Sequence, residues 1–233
     1  MKILAFETSA KAASVAMAED GRLLAESYCN SGVTHSQTLM TMAEGLIASC
    51  GQPDAVAVAA GPGSFTGVRI GVAAAKGYAW GAELPCYGVS TLEAMACWLG
   101  IPQGWVCACM DARRGQMYNA LFRAEEGKLH RRTEDRAISL EELKKELLAL
   151  DGPIFLVGDG SNLCYNTLRE EVPGLILPPE HRMHQRAAGV ALAAQAMADG
   201  GDPGNGAELI PNYLRLSQAE RERAARENRE KGV

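Results

Sequence analysis

Two stretches of this chain repeat one another in order, and that repetition limits the fold more than any single motif does. Residues 5–23 (AFETSAKAASVAMAEDGRL) and 109–129 (CMDARRGQMYNALFRAEEGKL) each read as a strand ending on an acid, Glu7 in one and Asp111 in the other. A second strand follows in each and turns at an acidic pair plus glycine, Glu19-Asp20-Gly21 and Glu125-Glu126-Gly127. An Asp-Gly centre is a short-range hairpin signal. The first half continues with a strand over 22–29 and a helix over 35–50. The helix has Leu39, Met42, Ala43, Leu46, Ile47 and Cys50 on one stripe, Thr34 as N-cap and Gly51 as its stop. The second half places a helix at 139–150, opened by a capping box of Ser139 and Glu142. Finally 55–64 (AVAVAAGPGS) matches 153–161 (PIFLVGDGS), a buried strand running into G-x-G-S. The order strand-strand-strand-helix-strand therefore occurs twice. Five elements in the same order are better explained by duplication than by a chance likeness of two hairpins.

The chain has 233 residues, and 47% of them are hydrophobic, enough to build a real core. The sheets divide it into residues 1–100, 101–216 and a charged tail over 217–233. The formal net charge of −5 gives no electrostatic pull on a phosphate backbone, so any service to nucleic acid would run through a partner. No apolar run approaches the ~20 residues of a membrane span. The first eight residues are too short and too acidic for a secretory leader. Seven cysteines without a C-x-x-C pair, with Cys107 and Cys109 on one face of a strand, read as reduced thiols of a cytoplasmic protein.

Gly61-Pro62-Gly63-Ser64-Phe65-Thr66-Gly67 joins the strand at 55–60 to a helix over 68–80. Free N–H groups and the dipole at such a helix start favour an anion. The spacing is G-x-G-x-x-x-G, not that of a dinucleotide fold, and no Lys-Ser/Thr pair makes it a P-loop. A phosphate cradle and a purely structural turn stay equally open. Glu7-Thr8-Ser9 offers hydroxyls for phosphates and a carboxylate that holds Mg²⁺ through water; the alternative is an ordinary polar turn. Two β-β-β-α-β-α halves facing each other describe the actin-like, sugar-kinase-like α/β fold, which is ribonuclease H-like in each half. In that fold nucleotide phosphates sit between the two hairpins. The candidate nucleotide residues are then Glu7, Thr8, Ser9, Gly61, Gly63 and Ser64; Asp111 to Gly115 either line the cleft or form a hairpin turn with solvated arginines. Of the histidines, His181 and His184 lie close together without a third ligand, and His35 sits at a helix start. No Ser/His/Asp set can be assembled.

GPGSFTGVRIGVAAAKG (61–77), YGVSTLEAMA (87–96), DARRGQMY (111–118), VGDG (157–160) and PNYLR (211–215) together resemble the bacterial TsaB family, also called YeaZ. The resemblance runs over nearly the whole chain and is least clear across 165–205 and the tail. It implies a non-catalytic subunit that holds and activates its catalytic paralogue TsaD, together with the ATPase TsaE. The complex would move threonylcarbamoyl from threonylcarbamoyl-AMP to N6 of the adenosine 3′ of the anticodon in tRNAs reading A-starting codons. Catalytic paralogues carry H-x-x-x-H where this chain has Thr91 and Met95, which are poor ligands for the same metal. The family shows D-T-S where Glu7-Thr8-Ser9 stands here. The resemblance thus implies no catalytic residue and no metal ligand, with ATP or ADP bound weakly or at the complex interface. It also implies a homodimer when the chain is alone, competing with TsaD for the same N-terminal helices. Leu39, Met42, Leu46, Arg69, Gly71, Ala74, Ala75 and Tyr78 are the candidate interface residues. A bulky charge at Ala74 or Gly71 is expected to abolish TsaD binding and leave the monomer folded. The competing reading is a small-molecule kinase or ATPase of the same fold, which would need robust Mg–ATP ligands and a general base.

Overall fold

In the computed structural model, which describes residues 1–32, 34–100, 103–113 and 115–215, the two repeated stretches become two sheets of one topology. The first half runs β1 (Lys2–Glu7), β2 (Ala13–Glu19), β3 (Arg22–Cys29), α1 (His35–Cys50), β4 (Ala55–Gly61), α2 (Phe65–Gly81), β5 (Cys86–Ser90) and α3 (Thr91–Trp98). The second runs β6 (Gly104–Asp111), β7 (Gln116–Glu125), β8 (Lys128–Arg131), β9 (Arg136–Ser139), α4 (Leu140–Leu148), β10 (Ile154–Val157), α5 (Ser161–Leu168), β11 (Leu175–Ile176), α6 (Glu180–Met183) and α7 (Ala187–Asp199). Among the described residues the sheet orders are β3-β2-β1-β4-β5 and β8-β7-β6-β10-β11, one succession used twice, with β9 also paired to β7 in the second. In each, the first strand pairs antiparallel with the second and parallel with the fourth-position strand. This is the duplicated actin-like α/β fold.

Local chemistry explains the equivalence. Asp20 and Gly21 both take positive φ, as do Glu126 and Gly127, so both hairpins turn with the twist that antiparallel strands favour. β4 is buried at every position, as a strand covered on both faces must be. Ser139 and Glu142 make the full capping box at the start of α4. Two expectations need correction. Thr34 stands at the N-cap of α1, but its side chain accepts no backbone N–H. The helix after the glycine turn begins at Phe65, not Val68, because Ser64 accepts the Gly67 N–H and starts the helix three residues early.

Alternation along β1 sends its side chains to two layers. Leu4 and Phe6 pack under α1 and α2 with Leu39, Val68, Val72 and Ala75. Ile3 and Ala5 pack under α7 with Ala187, Val190, Ala191 and Ala194. α7 thus comes from the second half of the chain and covers the first sheet. A division at residue 100 separates the sheets but leaves α7 with the half it does not cover. Leu92 and Met95 of α3 meet Val106, Ala108 and Phe122 of the second sheet. α3 and α7 lie between the sheets, and α1 and α2 form an outer layer on the first sheet, α2 being also touched by the segment after α7. The charged tail lies outside the described residues.

Candidate functional site

The glycine turn is shaped by its own chain. Ser64 N–H donates to the Ser9 carbonyl at 2.7 Å, and Thr8 Oγ1 donates to the Gly67 carbonyl at 2.8 Å. A Cβ on Gly67 would overlap the Thr8 carbonyl oxygen, and one on Gly71 would overlap Thr8 Oγ1. The second half repeats the arrangement: Gly160 N–H donates to the Cys109 carbonyl at 3.1 Å, and a Cβ there would overlap Met117. In both halves small residues let the end of the first strand reach the helix start. Between the two readings of the motif, internal packing accounts for Gly63, Gly67 and Gly71 without a ligand.

The halves enclose a cleft of about 770 Å³ whose lining includes Ser9, Lys11, Gly63, Ser64, Asp111, Arg113, Asp159 and His184. Of the six candidate nucleotide residues it brings together Ser9, Gly63 and Ser64. Gly61 borders this turn but faces the Asn212 backbone and a second groove. Glu7 and Thr8 lie beneath the floor, 1% and 0% exposed, and neither lines the cleft. Reading them as phosphate or Mg²⁺ contacts is corrected on that ground: Thr8 is committed to α2, and Glu7 is sealed off. Glu7 Oε1 accepts the Ser9 N–H at 2.6 Å, while Oε2 has no partner among the described residues. Burial is the main cause that pushes the Glu7 carboxyl up to about 7, and the nearby Asp159 carboxylate adds to it. Burial raises Asp159 as well, against the Gln185 amide that donates to it. Among the described residues no group of three or more His, Cys, Asp or Glu is placed to hold a metal. Asp111 and Arg113 line the cleft, the first of the two positions the sequence left open for this segment.

A prediction follows from Glu7. Its folded value, about 7, lies above the ordinary 4.5. The unfolded chain ionises first, so stability is full below about pH 4.5 and falls as pH rises toward 7. The loss attributable to this carboxyl is about 3 kcal/mol. Glu7→Gln cannot ionise, so it should gain roughly that much over the wild type between ~pH 4 and ~pH 8 by urea unfolding. A wild-type-minus-variant difference that does not move with pH would contradict the assignment.

The candidate interface residues divide by face. Leu39, Leu46, Gly71 and Ala75 point inward and are buried. Met42, Ala74 and Tyr78 are half-buried, and Arg69 is exposed. Gly71, wedged between Thr8 and Val58, is a packing residue; a bulky charge there would break the fold instead of sparing the monomer. The outward face carries different residues: Met40, Gly45 and Ala48 on α1, and Ala73, Gly77 and Trp80 on α2. Trp80 is 87% exposed. Nothing lies within 4 Å of where a Cβ would stand on Gly45 or Gly77. The candidate interface residues included Tyr78 and small residues of this helix but passed over Trp80. The available signal was spacing: Trp80 follows Ala73 and Gly77 by seven and three residues, one stripe of the helix.

A family model described as "TsaD: tRNA N6-adenosine threonylcarbamoyltransferase" matches residues 30–222. The Bacillus subtilis protein named "tRNA threonylcarbamoyladenosine biosynthesis protein TsaB" is 30% identical over 94% of this chain and 96% of that protein. The chain belongs to the TsaB (YeaZ) family. The TsaB protein of Escherichia coli is 38% identical over 69% of this chain and 72% of its own length. The solved structure described as "YeaZ from Pseudomonas aeruginosa" superposes with a TM-score of 0.77 at 26% identity, covering 91% of this chain and 99% of that one. TsaB-family likeness therefore spans both sheets. Among the described residues no helix is long and apolar enough to cross a membrane.

Proposed function

We propose that this chain is the non-catalytic, activating subunit of a cytoplasmic assembly for tRNA threonylcarbamoyladenosine biosynthesis, acting with a TsaD-type transferase and a TsaE-type ATPase. The assembly moves threonylcarbamoyl from threonylcarbamoyl-AMP to N6 of the adenosine 3′ of the anticodon in tRNAs reading A-starting codons. The observation that carries this reading is the outward α1–α2 face. Gly45 and Gly77 each cost about 1 kcal/mol relative to alanine inside a helix. Neither is needed for the chain's own packing, and Trp80 stands in water beside Gly77. Small residues admit a close neighbour, and a large exposed aromatic is a typical interface anchor. The same face serves the transferase and, when the chain is alone, a second copy of itself.

Support for a non-catalytic role comes from Thr91 and Met95. They occupy the positions that the family resemblance compares with paired histidines, and both are buried in the core between the halves, 0% and 1% exposed. The net charge of −5 leaves tRNA binding to the partner. That Glu7 and Thr8 lie below the cleft supports reading ATP or ADP as bound weakly or at the complex interface. Two measurements test the reading. The chain alone should hydrolyse no ATP above a buffer control, and it should co-elute with the TsaD-type transferase of its own organism in size-exclusion chromatography. Robust ATP turnover by the chain alone, or separate elution, would overturn it.

A further inference from the structure

The segment after α7 crosses from one half to the other as an extended strap over residues 209–215. It is held first to α2 and β4. Lys76 Nζ donates to the Leu209 carbonyl at 2.9 Å, and Asn212 N–H donates to the Ala60 carbonyl at 2.7 Å. The Tyr213 ring stacks on Phe65 with centroids 4.5 Å apart. Arg69 Nε donates to the Tyr213 hydroxyl at 2.8 Å, and its guanidinium lies 4.0 Å from the Phe65 ring centre. Two residues later the strap grips the second half. Arg215 Nη1 donates to the carbonyls of Ala112 and Arg113, the latter at 3.3 Å. Asn212 Nδ2 also reaches Asp135 at 3.5 Å.

The grip falls on a turn that needs support. Arg113 takes φ +63, a conformation that costs a side-chain-bearing residue about 1 kcal/mol or more. The turn closes with Ala112 N–H donating to Gln116 at 3.0 Å and Gln116 N–H to Arg113 at 3.3 Å. Asn212, Tyr213, Leu214 and Arg215 all line the cleft, so the strap forms one of its walls while tying its two sides together. On the other side, Arg69 emerges on α2 one turn before Ala73 and stands on the outward stripe that runs to Trp80.

We propose that the strap transmits occupancy of the α2 face to the cleft, through Arg69 and Tyr213 at one end and Arg215 at the other. This step rests on the docking reading above and adds a mechanical route to it: a partner that fixes Arg69 fixes the Tyr213 stack, and Arg215 then holds the Ala112–Gln116 turn. The stacked Phe65–Tyr213–Arg69 clasp at one end and the two carbonyl contacts of Arg215 Nη1 at the other join the α2 face to the turn, and both ends are small contacts that one substitution removes.

The test is amide hydrogen exchange on the full chain, free and bound to the TsaD-type transferase, for the wild type and Arg215→Ala. Circular dichroism confirms that the variant is folded. On complex formation the wild type should slow at least about tenfold both along residues 73–80 and at Ala112 and Gln116. Arg215→Ala should keep the first protection and lose the second. Equal protection of Ala112 and Gln116 in both chains, or none at these amides in a wild type protected along 73–80, would overturn the coupling alone. Absence of protection along 73–80 in the wild type would overturn the docking reading and the coupling with it.

Discussion

Gly71→Val is expected to lower the melting temperature by about 6–12 °C or more, whereas Gly77→Ala, six residues further along the same helix, should raise it. At Gly71 any Cβ overlaps Thr8 Oγ1 and comes within 3.3 Å of Val58. Val58 is buried within β4 and Thr8 is buried just past the end of β1, pinned by its bond to the Gly67 carbonyl. Neither can swing aside, so the cost of overpacking falls at the upper end of its range, about 3 kcal/mol or more. At Gly77 the added methyl meets open space, and the helix gains about 1 kcal/mol. For a chain of this size that is a rise of about 2–4 °C. Thermal unfolding followed by circular dichroism reads both. A Gly71→Val melting curve within a few degrees of the wild type would show that the turn does not pack as described.

The second large effect is on association. Trp80→Asp should weaken binding to the TsaD-type transferase by about 100-fold or more, the loss of an aromatic anchor together with a charge placed where water is excluded. The free chain should unfold within about 0.5 kcal/mol of the wild type, because an 87% exposed side chain contributes little to the core. Leu163→Asp, at an exposed position of α5 on the second half, serves as the control and should bind as the wild type does. Self-association of the free chain should fall with Trp80→Asp as well. Loss of one association without the other would mean that the two partners use different faces.

Much of the architecture could be read before any coordinates, and the reason is redundancy. The duplicated acid, hairpin turn and G-x-G-S each appeared twice at matching places, so an error in one copy was checked by the other. The two hairpins, α1, the capping box of α4 and the buried thiols Cys107 and Cys109 follow directly from local rules. Some short elements were illegible: β9 and α6 have four residues each and no counterpart in the first half to point to them, and β11, with two residues, is too short to show a period. That α7 returns to the first sheet also could not be seen, since an alanine-rich stripe fits either sheet equally well. The site divided along the same line. Ser9, Gly63, Ser64 and Asp111, singled out by motif position, line the cleft. Glu7 and Thr8 do not, and sequence gives the end of a strand but not which layer its side chains enter. Sequence likewise cannot tell an inward glycine such as Gly71 from an outward one such as Gly77; that distinction is set by the phase of α2 against β1.

The most direct test of the central claim is a reconstituted transfer reaction. Substrate tRNA, ATP, the precursors of threonylcarbamoyl-AMP with the enzyme that makes it, and the TsaD- and TsaE-type proteins are held fixed, and only this chain is varied. Threonylcarbamoyladenosine in the tRNA is then measured by mass spectrometry of nucleosides. The account predicts that modification requires the wild-type chain and survives Leu163→Asp. With Trp80→Asp it should fall to the level seen without the chain. Full modification in the absence of the chain, or undiminished modification with Trp80→Asp at concentrations that only just saturate the wild type, would contradict it.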